Sequence, residues 1–368
     1  MNIPLVNLKR QSDRLRDEIH ASLDRVIDSG QFIMGDEEKT FEKEIASFVG
    51  TTYGIGVGNG TDALIMALRA LNIGPGDEVI TSPFTFFASA ESISSVGATP
   101  VFVDISPDTY CMDVDMLYDA ITPRTKAIIP VHIFGHMVDM KKLMEIAKAR
   151  NLAVIEDACQ AIGATQDCMR AGAIGDAGCF SFFPTKNLGG MGDGGMVVTN
   201  RKDMDDAVRM FRVHGSRRKY HNECIGYNSR LDELQAAILR VKLRYLSGWE
   251  KKRRYRARIY NEELKNLPIK LPIELDEYRH VYHLYVIGCD ERDGLMSYLK
   301  DKGIGCGVYY PLPLHLLPVY RNLGYGIGRL KNAEGAAITT LAIPLCPELN
   351  DLEQEYVIDS IKEFYGVK

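Results

Sequence analysis

The chain has 368 residues, 46% of them hydrophobic and 25% charged, an ordinary globular composition long enough for two or three structural units without disulfides or a structural metal. Its net charge of −5, from 44 Lys+Arg against 49 Asp+Glu, gives none of the strongly basic face that nucleic-acid binding needs. The eight cysteines form no C-x-x-C pair and no apolar run reaches membrane-helix length, so zinc fingers, redox motifs and membrane spans are not indicated.

The N-terminal stretch turns charged at Lys9-Arg10 before any signal-peptide core accumulates, which with the unpaired cysteines predicts a cytoplasmic protein. Gly56-Val57-Gly58-Asn59-Gly60-Thr61-Asp62 passes from a strand into a helix over 62–72, whose Leu64, Ala67, Leu68 and Leu71 share one face. A turn at Gly74-Pro75-Gly76-Asp77 leads to a strand over 78–82, and 100–104, 127–133 and 153–156 read as further buried strands. Between the last two lies a helix over 140–150, with Leu143, Ile146 and Ala147 inward. Strands alternating with helices of this length predict an α/β fold with a mostly parallel central sheet flanked by helices. A long helical stretch follows over 231–249, then a charged segment over 250–258 and a mixed region with strands near 283–288 and 340–343. The expected division is a large domain over 1–245, including an N-terminal helical segment, and a smaller C-terminal α+β domain over 246–368.

In a parallel sheet, ligands sit at the carboxyl ends of strands. Asp157 stands at such an end, and Lys186 stands just past the next strand-like run. A lysine and a carboxylate are what pyridoxal phosphate demands, the first to form a Schiff base and the second to keep the pyridine nitrogen protonated. Taken alone, the pair does not separate a site from a turn-capping aspartate and a solvated lysine. The glycine-rich turn before Thr61 adds an anion cradle at a helix N-terminus, or equally an ordinary N-cap. No G-x-x-x-x-G-K-[ST] occurs. The one G-x-G-x-x-G, at Gly190, Gly192 and Gly195, precedes a strand instead of opening a helix, so Gly192-Asp193-Gly194-Gly195 reads as a turn between strands. His132 and His136 lack a metal-ligand context, and no metal is expected.

With these residues assembled, the chain resembles the DegT/StrS type of sugar-nucleotide aminotransferase, a branch of the fold type I, aspartate aminotransferase-like enzymes. The likeness rests on GQFIMGDEEKTFE (30–42), NGTDAL (59–64), GDEVITSPFTFFASAE (76–91), VFVDI (101–105), TPRTKAIIPVHIFG (122–135), VIEDACQA (154–161), SFFPTKNLGGMGDGG (181–195), GYNSRLDELQAA (226–237) and YYPLPLHLLP (309–318). The resemblance implies Lys186 as the Schiff-base lysine, Asp157 at the pyridine nitrogen, Gln160 near the ring hydroxyl and Phe86 on the ring face. It implies Gly60, Thr61, Asp62 and Ser181 at the phosphate, with Asn228 reaching in from a second subunit, hence a homodimer. Arg230, Tyr310 and His315 are candidate substrate contacts, although Arg230 has Asp232 and Glu233 nearby and His315 lies between prolines. The implied reaction takes nitrogen from glutamate through the pyridoxamine phosphate (PMP) form of the cofactor to a keto group of a nucleotide-linked hexose. Phe183 and the YYPLPLH run favour a 3-keto acceptor. A 4-keto acceptor, or another reaction of the same cofactor such as a dehydration, is the alternative. A regulator that has kept the scaffold is a third reading, opposed by the complete set of Lys186, Asp157 and Ser181.

Overall fold

The structure, a computed structural model, describes residues 1–367. Seven strands form the central sheet: β1 (Tyr53–Val57), β2 (Glu78–Thr81), β3 (Thr99–Phe102), β4 (Thr125–Ile129), β5 (Ala153–Asp157), β6 (Ala177–Ser181) and β7 (Gly195–Thr199). Their order is β1-β7-β6-β5-β4-β2-β3. The pairs β2/β3, β2/β4, β4/β5 and β5/β6 are parallel, and β7 runs against both β1 and β6. The turn expected at 192–195 is the end of a longer connection over 182–194 between β6 and β7, and Gly195 already belongs to β7. Nearly every residue of the inner strands is buried, because helices cover both faces, and this is why the strands read as continuous apolar runs.

Helix α1 (Gly60–Ala70) begins two residues before its expected start. The side chain of Asn59 caps it, accepting from the Asp62 N–H at 2.9 Å. Its Leu64, Ala67 and Leu68 bury against Ile55, Ile155 and Val197 on one face of the sheet. Helix α2 (Ala88–Ser95) follows β2, and α3 (Met140–Arg150) buries Leu143, Ile146 and Ala147 on the other face, beside Phe180 and Met196. Fully burying such aliphatic side chains contributes about 1.5–3 kcal/mol each.

Two expected boundaries shift. The strand expected over 127–133 ends at Ile129, since Pro130 has no N–H for the ladder. The chain then makes one bridge, Val131 to Asp157, and turns at Ile133–Gly135. The helix expected over 231–249 is α4 (Glu233–Leu264), 32 residues long. The basic run at 251–254 belongs to it: Lys251 and Lys252 face solvent, while Arg253 is buried and donates to the carbonyls of Tyr282, His283 and Leu345.

The helix thus runs unbroken through residue 246 into a second core. There the antiparallel strands β8 (Tyr285–Gly288) and β9 (Thr340–Ile343) pack with Ala257, Tyr260, Leu264, Leu295, Val357 and Ile361. Ile3 joins this core and bridges to Ile304, so the first residues of the chain pack with its last hundred. Among the described residues no helix is long and apolar enough to cross a membrane.

Candidate active site

Asp157 ends β5 at the carboxyl edge of the sheet and is buried. Its backbone is pinned to the turn after β4, with Asp157 N donating to Pro130 O and His132 N donating to Asp157 O. Just beneath, Glu156 accepts from the backbone N–H groups of Gly172, Ile174 and Gly175 at 2.7–2.8 Å and lies 2.9 Å from His132 Nε2. Val138 N donates to His132 Nδ1, so Nε2 carries the ring proton and donates to Glu156. The Asp157 carboxylate takes two hydrogen bonds: Ser89 Oγ donates to Oδ2 at 2.7 Å and Cys159 N donates to Oδ1 at 3.3 Å. Among the described residues it has no ion-pair partner.

Lys186 lies in the tight loop between β6 and β7. Lys186 N donates to Phe183 O, and Gly190 N donates to Phe182 O. A side chain at Gly189 would collide with the Pro184 carbonyl, which explains the glycine. Helix α4 fastens this loop from outside: Lys242 Nζ donates to Gly189 O at 2.7 Å, and Gln235 Oε1 accepts from Met191 N at 2.8 Å. Burial holds the Lys186 amine below the ordinary lysine range, while the nearby Cys159 and Asp157 push the other way. Its Nζ has no hydrogen-bond partner among the described residues. Desolvation thus favours the neutral amine, the form whose lone pair carbonyl chemistry needs.

The turn ahead of α1 closes the site from a third side. A Cβ at Gly60 would stand 2.8 Å from Ser181 Cβ and 3.0 Å from Cys159 Sγ. Only glycine lets the helix start approach the end of β6 this closely. The Thr61 and Ser181 hydroxyls and the free N–H groups of the first helical turn form a donor set suited to a phosphate. Asp62 is otherwise engaged: its Oδ2 accepts from Ser229 Oγ at 2.6 Å and Asn59 Nδ2 at 3.1 Å, while Ser229 Oγ accepts from Gly58 N. The carboxylate therefore clamps the cradle to the 228–230 segment instead of facing an anion.

Phe86 leaves 57% of its surface exposed and tilts toward Tyr310, 6.3 Å between centroids. Gln160 joins them, accepting at Oε1 from Phe134 N and donating from Nε2 to Tyr310 Oη at 3.2 Å. Burial raises the Tyr310 phenol well above its ordinary range. Arg230 is partly buried, with neither Asp232 nor Glu233 as partner: Asp232 caps α4, and Glu233 accepts from the backbone of Gly35, Glu37 and Glu38. Asn228 is exposed.

His315 departs from expectation. Its ring is buried against Phe102 and Tyr325, its Nε2 lies 3.2 Å from Glu334 Oε1, and its Nδ1 has no hydrogen-bond partner among the described residues, so packing and the Glu334 contact hold it in place without an exposed face. Conversely, Ser89, Gln235 and Lys242 escaped sequence reading. Each acts across tens of residues, and no local pattern marks it.

The residues present fit pyridoxal phosphate. They offer an enclosed amine, a buried carboxylate without a counter-ion, a donor-lined cradle and an exposed aromatic face. Residues 13–362 match the family described as the DegT/DnrJ/EryC1/StrS aminotransferase family. The chain is 50% identical to a Geobacillus stearothermophilus "pleiotropic regulatory protein", over 99% of both chains. It is 45% identical to the UDP-N-acetyl-3-dehydro-alpha-D-glucosamine 3-aminotransferase of Acidithiobacillus ferrooxidans, over 95% of this chain and 94% of that one. Among solved structures, S. venezuelae DesV superposes with a TM-score of 0.97 at 42% identity, covering 99% and 98% of the two chains. Bacillus subtilis NtdA with bound PMP superposes with a TM-score of 0.93 at 33% identity, covering 99% and 85%.

Proposed function

Starting from the fact that this chain belongs to the DegT/DnrJ/EryC1/StrS aminotransferase family, we propose that it transfers the amino group of glutamate to a keto carbon of a nucleotide-linked hexose, with pyridoxal phosphate as cofactor. The observation that carries this reading is the pairing of Lys186 with Asp157. An amine held below its ordinary range by burial lies close enough to a buried carboxylate to feel its charge, and neither has an ion-pair partner among the described residues.

Bound there, the cofactor supplies an electron sink for bonds to the substrate's amino-bearing carbon. The remaining work falls to the chain. Asp157, oriented by Ser89 and the Cys159 N–H, holds a proton on the ring nitrogen. Gly60, Thr61 and Ser181 bind the phosphate, with Asn228 of a second copy completing the cradle in a homodimer. Phe86 supports the ring face, and Gln160 stands near the ring hydroxyl. Lys186 Nζ is the group that would carry the proton between the reacting carbons, and burial loosens its hold on that proton. Arg230 and Tyr310 offer donors to the sugar nucleotide.

A 3-keto sugar is the preferred acceptor. The Acidithiobacillus relative is named for amination at that position, and Phe183 beside the YYPLPLH run supports it. The product is an amino sugar for polysaccharide or secondary-metabolite assembly in the cytoplasm. The relative named a regulatory protein does not displace this reading, because the whole lysine–carboxylate–hydroxyl set is retained.

The test is the absorption spectrum of the protein with pyridoxal phosphate, before and after glutamate. The expected result is a visible band, absent in Lys186→Ala, that glutamate replaces with a near-ultraviolet one while 2-oxoglutarate appears. A featureless spectrum in the wild-type protein would overturn the proposal. A visible band indifferent to glutamate would overturn the donor.

A further inference from the structure

Resting on that reading of Asp157, we infer that Ser89, backed by Thr85, is a positioning residue that fixes the Asp157 carboxylate against the cofactor ring. The geometry gives the pair a direction. An ionised carboxylate accepts hydrogen bonds and donates none, so the Ser89 hydrogen points at Asp157 Oδ2, 2.7 Å away. Having spent its only hydrogen, Ser89 Oγ is the acceptor for Thr85 Oγ1 at 3.1 Å. The result is a polarised chain, Thr85 to Ser89 to Asp157, in which each hydroxyl strengthens the next. All three residues are buried, Ser89 and Thr85 at 1% and 2% exposure, so water does not substitute for either hydroxyl.

The placement separates this from ordinary helix chemistry. A serine in a helix usually returns its hydroxyl to a backbone carbonyl of the preceding turn, as Ser92 does to Ser89 O. Ser89 instead spans to a strand end 68 residues away in sequence. The five residues from Thr85 to Ser89 also carry Phe86. One short segment therefore sets both the aromatic face and the orientation of the carboxylate. That segment is anchored from the far side, where Leu314 N donates to Pro83 O at 2.7 Å and Tyr310 packs against Phe86. A rotated carboxylate would meet the ring nitrogen out of line, and a hydrogen bond to a charged group is among the stronger ones.

The test strips wild type, Ser89→Ala, Ser89→Thr and Thr85→Val of cofactor and titrates each with pyridoxal phosphate, following the visible band, with thermal midpoints of the cofactor-free forms measured in parallel. Ser89→Ala is expected to bind at least about ten-fold more weakly and to show a displaced or weakened visible band, with a cofactor-free midpoint modestly lowered by the lost buried hydrogen bond but a single cooperative unfolding transition retained. Thr85→Val is expected to move in the same direction by less, and Ser89→Thr, which keeps the hydroxyl, to recover most of the affinity. A Ser89→Ala protein with wild-type affinity and band overturns the inference. So does a loss that Ser89→Thr fails to recover, since the hydroxyl would then not be the active element. A wild-type protein that takes up no pyridoxal phosphate overturns the proposed function and this inference with it, whereas an indifferent Ser89→Ala on a cofactor-binding wild type overturns this inference alone.

Discussion

The ammonium of Lys242 donates to the carbonyl of Gly189 at 2.7 Å, three residues beyond Lys186, and it does so from a site 2% exposed. Burial lowers this lysine from its ordinary value to about 8. A lysine whose folded pKa is depressed costs stability in full below that value and releases the cost as pH rises toward 10.5. Lys242→Met is therefore expected to be close to neutral at pH 7, where the lost hydrogen bond offsets the relieved desolvation. Between pH 7 and pH 10.5 wild type should gain about 3 kcal/mol relative to the variant, read by chemical denaturation at both pH values. A pH-independent difference would contradict a buried charged lysine.

Gly60→Ala tests the contact between α1 and β6. In an open helical position this change stabilises, because alanine has fewer unfolded conformations. Here the added methyl meets Ser181 Cβ at 2.8 Å, so the expected outcome is a loss of about 1–3 kcal/mol together with weaker cofactor binding. Denaturant midpoints of the cofactor-free protein, set beside the cofactor titration, give both numbers.

Arg212 is buried with Nη1 2.7 Å from both Glu38 Oε1 and Glu42 Oε1. Removing it as Arg212→Met leaves Glu38 without its ion-pair partner, while Glu42 keeps Arg209 and the Gly56 N–H, and is expected to cost about 3 kcal/mol at pH 7. Burial already pushes Glu38 up to about 7. A glutamate raised on folding contributes most stability below its ordinary value and loses it as pH rises through the folded one. Without Arg212 that value climbs further, so the deficit should shrink at pH 5. Guanidinium or urea unfolding at the two pH values measures it.

Arg230→Ala and His315→Gln should behave oppositely. Arg230 has no internal partner among the described residues, and its loss is expected to raise KM for the amino acceptor about ten-fold or more, leaving the reaction with glutamate unchanged. His315 is packed and bonded to Glu334. Its replacement should lower the thermal midpoint with little effect on that KM. Steady-state kinetics on both substrates separate the two.

Much of this molecule was legible in its sequence, for identifiable reasons. Strands such as 153–157 bury both faces, so their apolar runs announce them, and the glycines at 192–195 mark the reversal that makes β7 antiparallel. The lysine and carboxylate stand at strand ends, where such sheets do chemistry, but only the motifs around them separate the pair from a capping aspartate and a solvated lysine. The illegible parts are those fixed by distant partners. Nothing near Ser89 signals Asp157, nothing in the basic run at 251–254 signals that Arg253 would turn inward to three carbonyls, and nothing near His315 signals Glu334 or the rings of Phe102 and Tyr325. Pro130 is the visible terminator of β4, and the apolar run that continues past it overstates the strand's length.

Helix α4 fastens the Lys186 loop through Gln235 and Lys242, then grips the second core through Arg253, about five turns beyond Gln235 and three beyond Lys242. Elsewhere the chain length is free to drift, since surface loops absorb added residues with little penalty. Between these anchors it is not. One extra residue would rotate everything beyond it by about 100° and slide it about 1.5 Å, turning Arg253 away from its carbonyls while the loop stayed fastened. The stretch from 235 to 253 is thus a fixed-length ruler, open to changes of letter and closed to insertion or deletion.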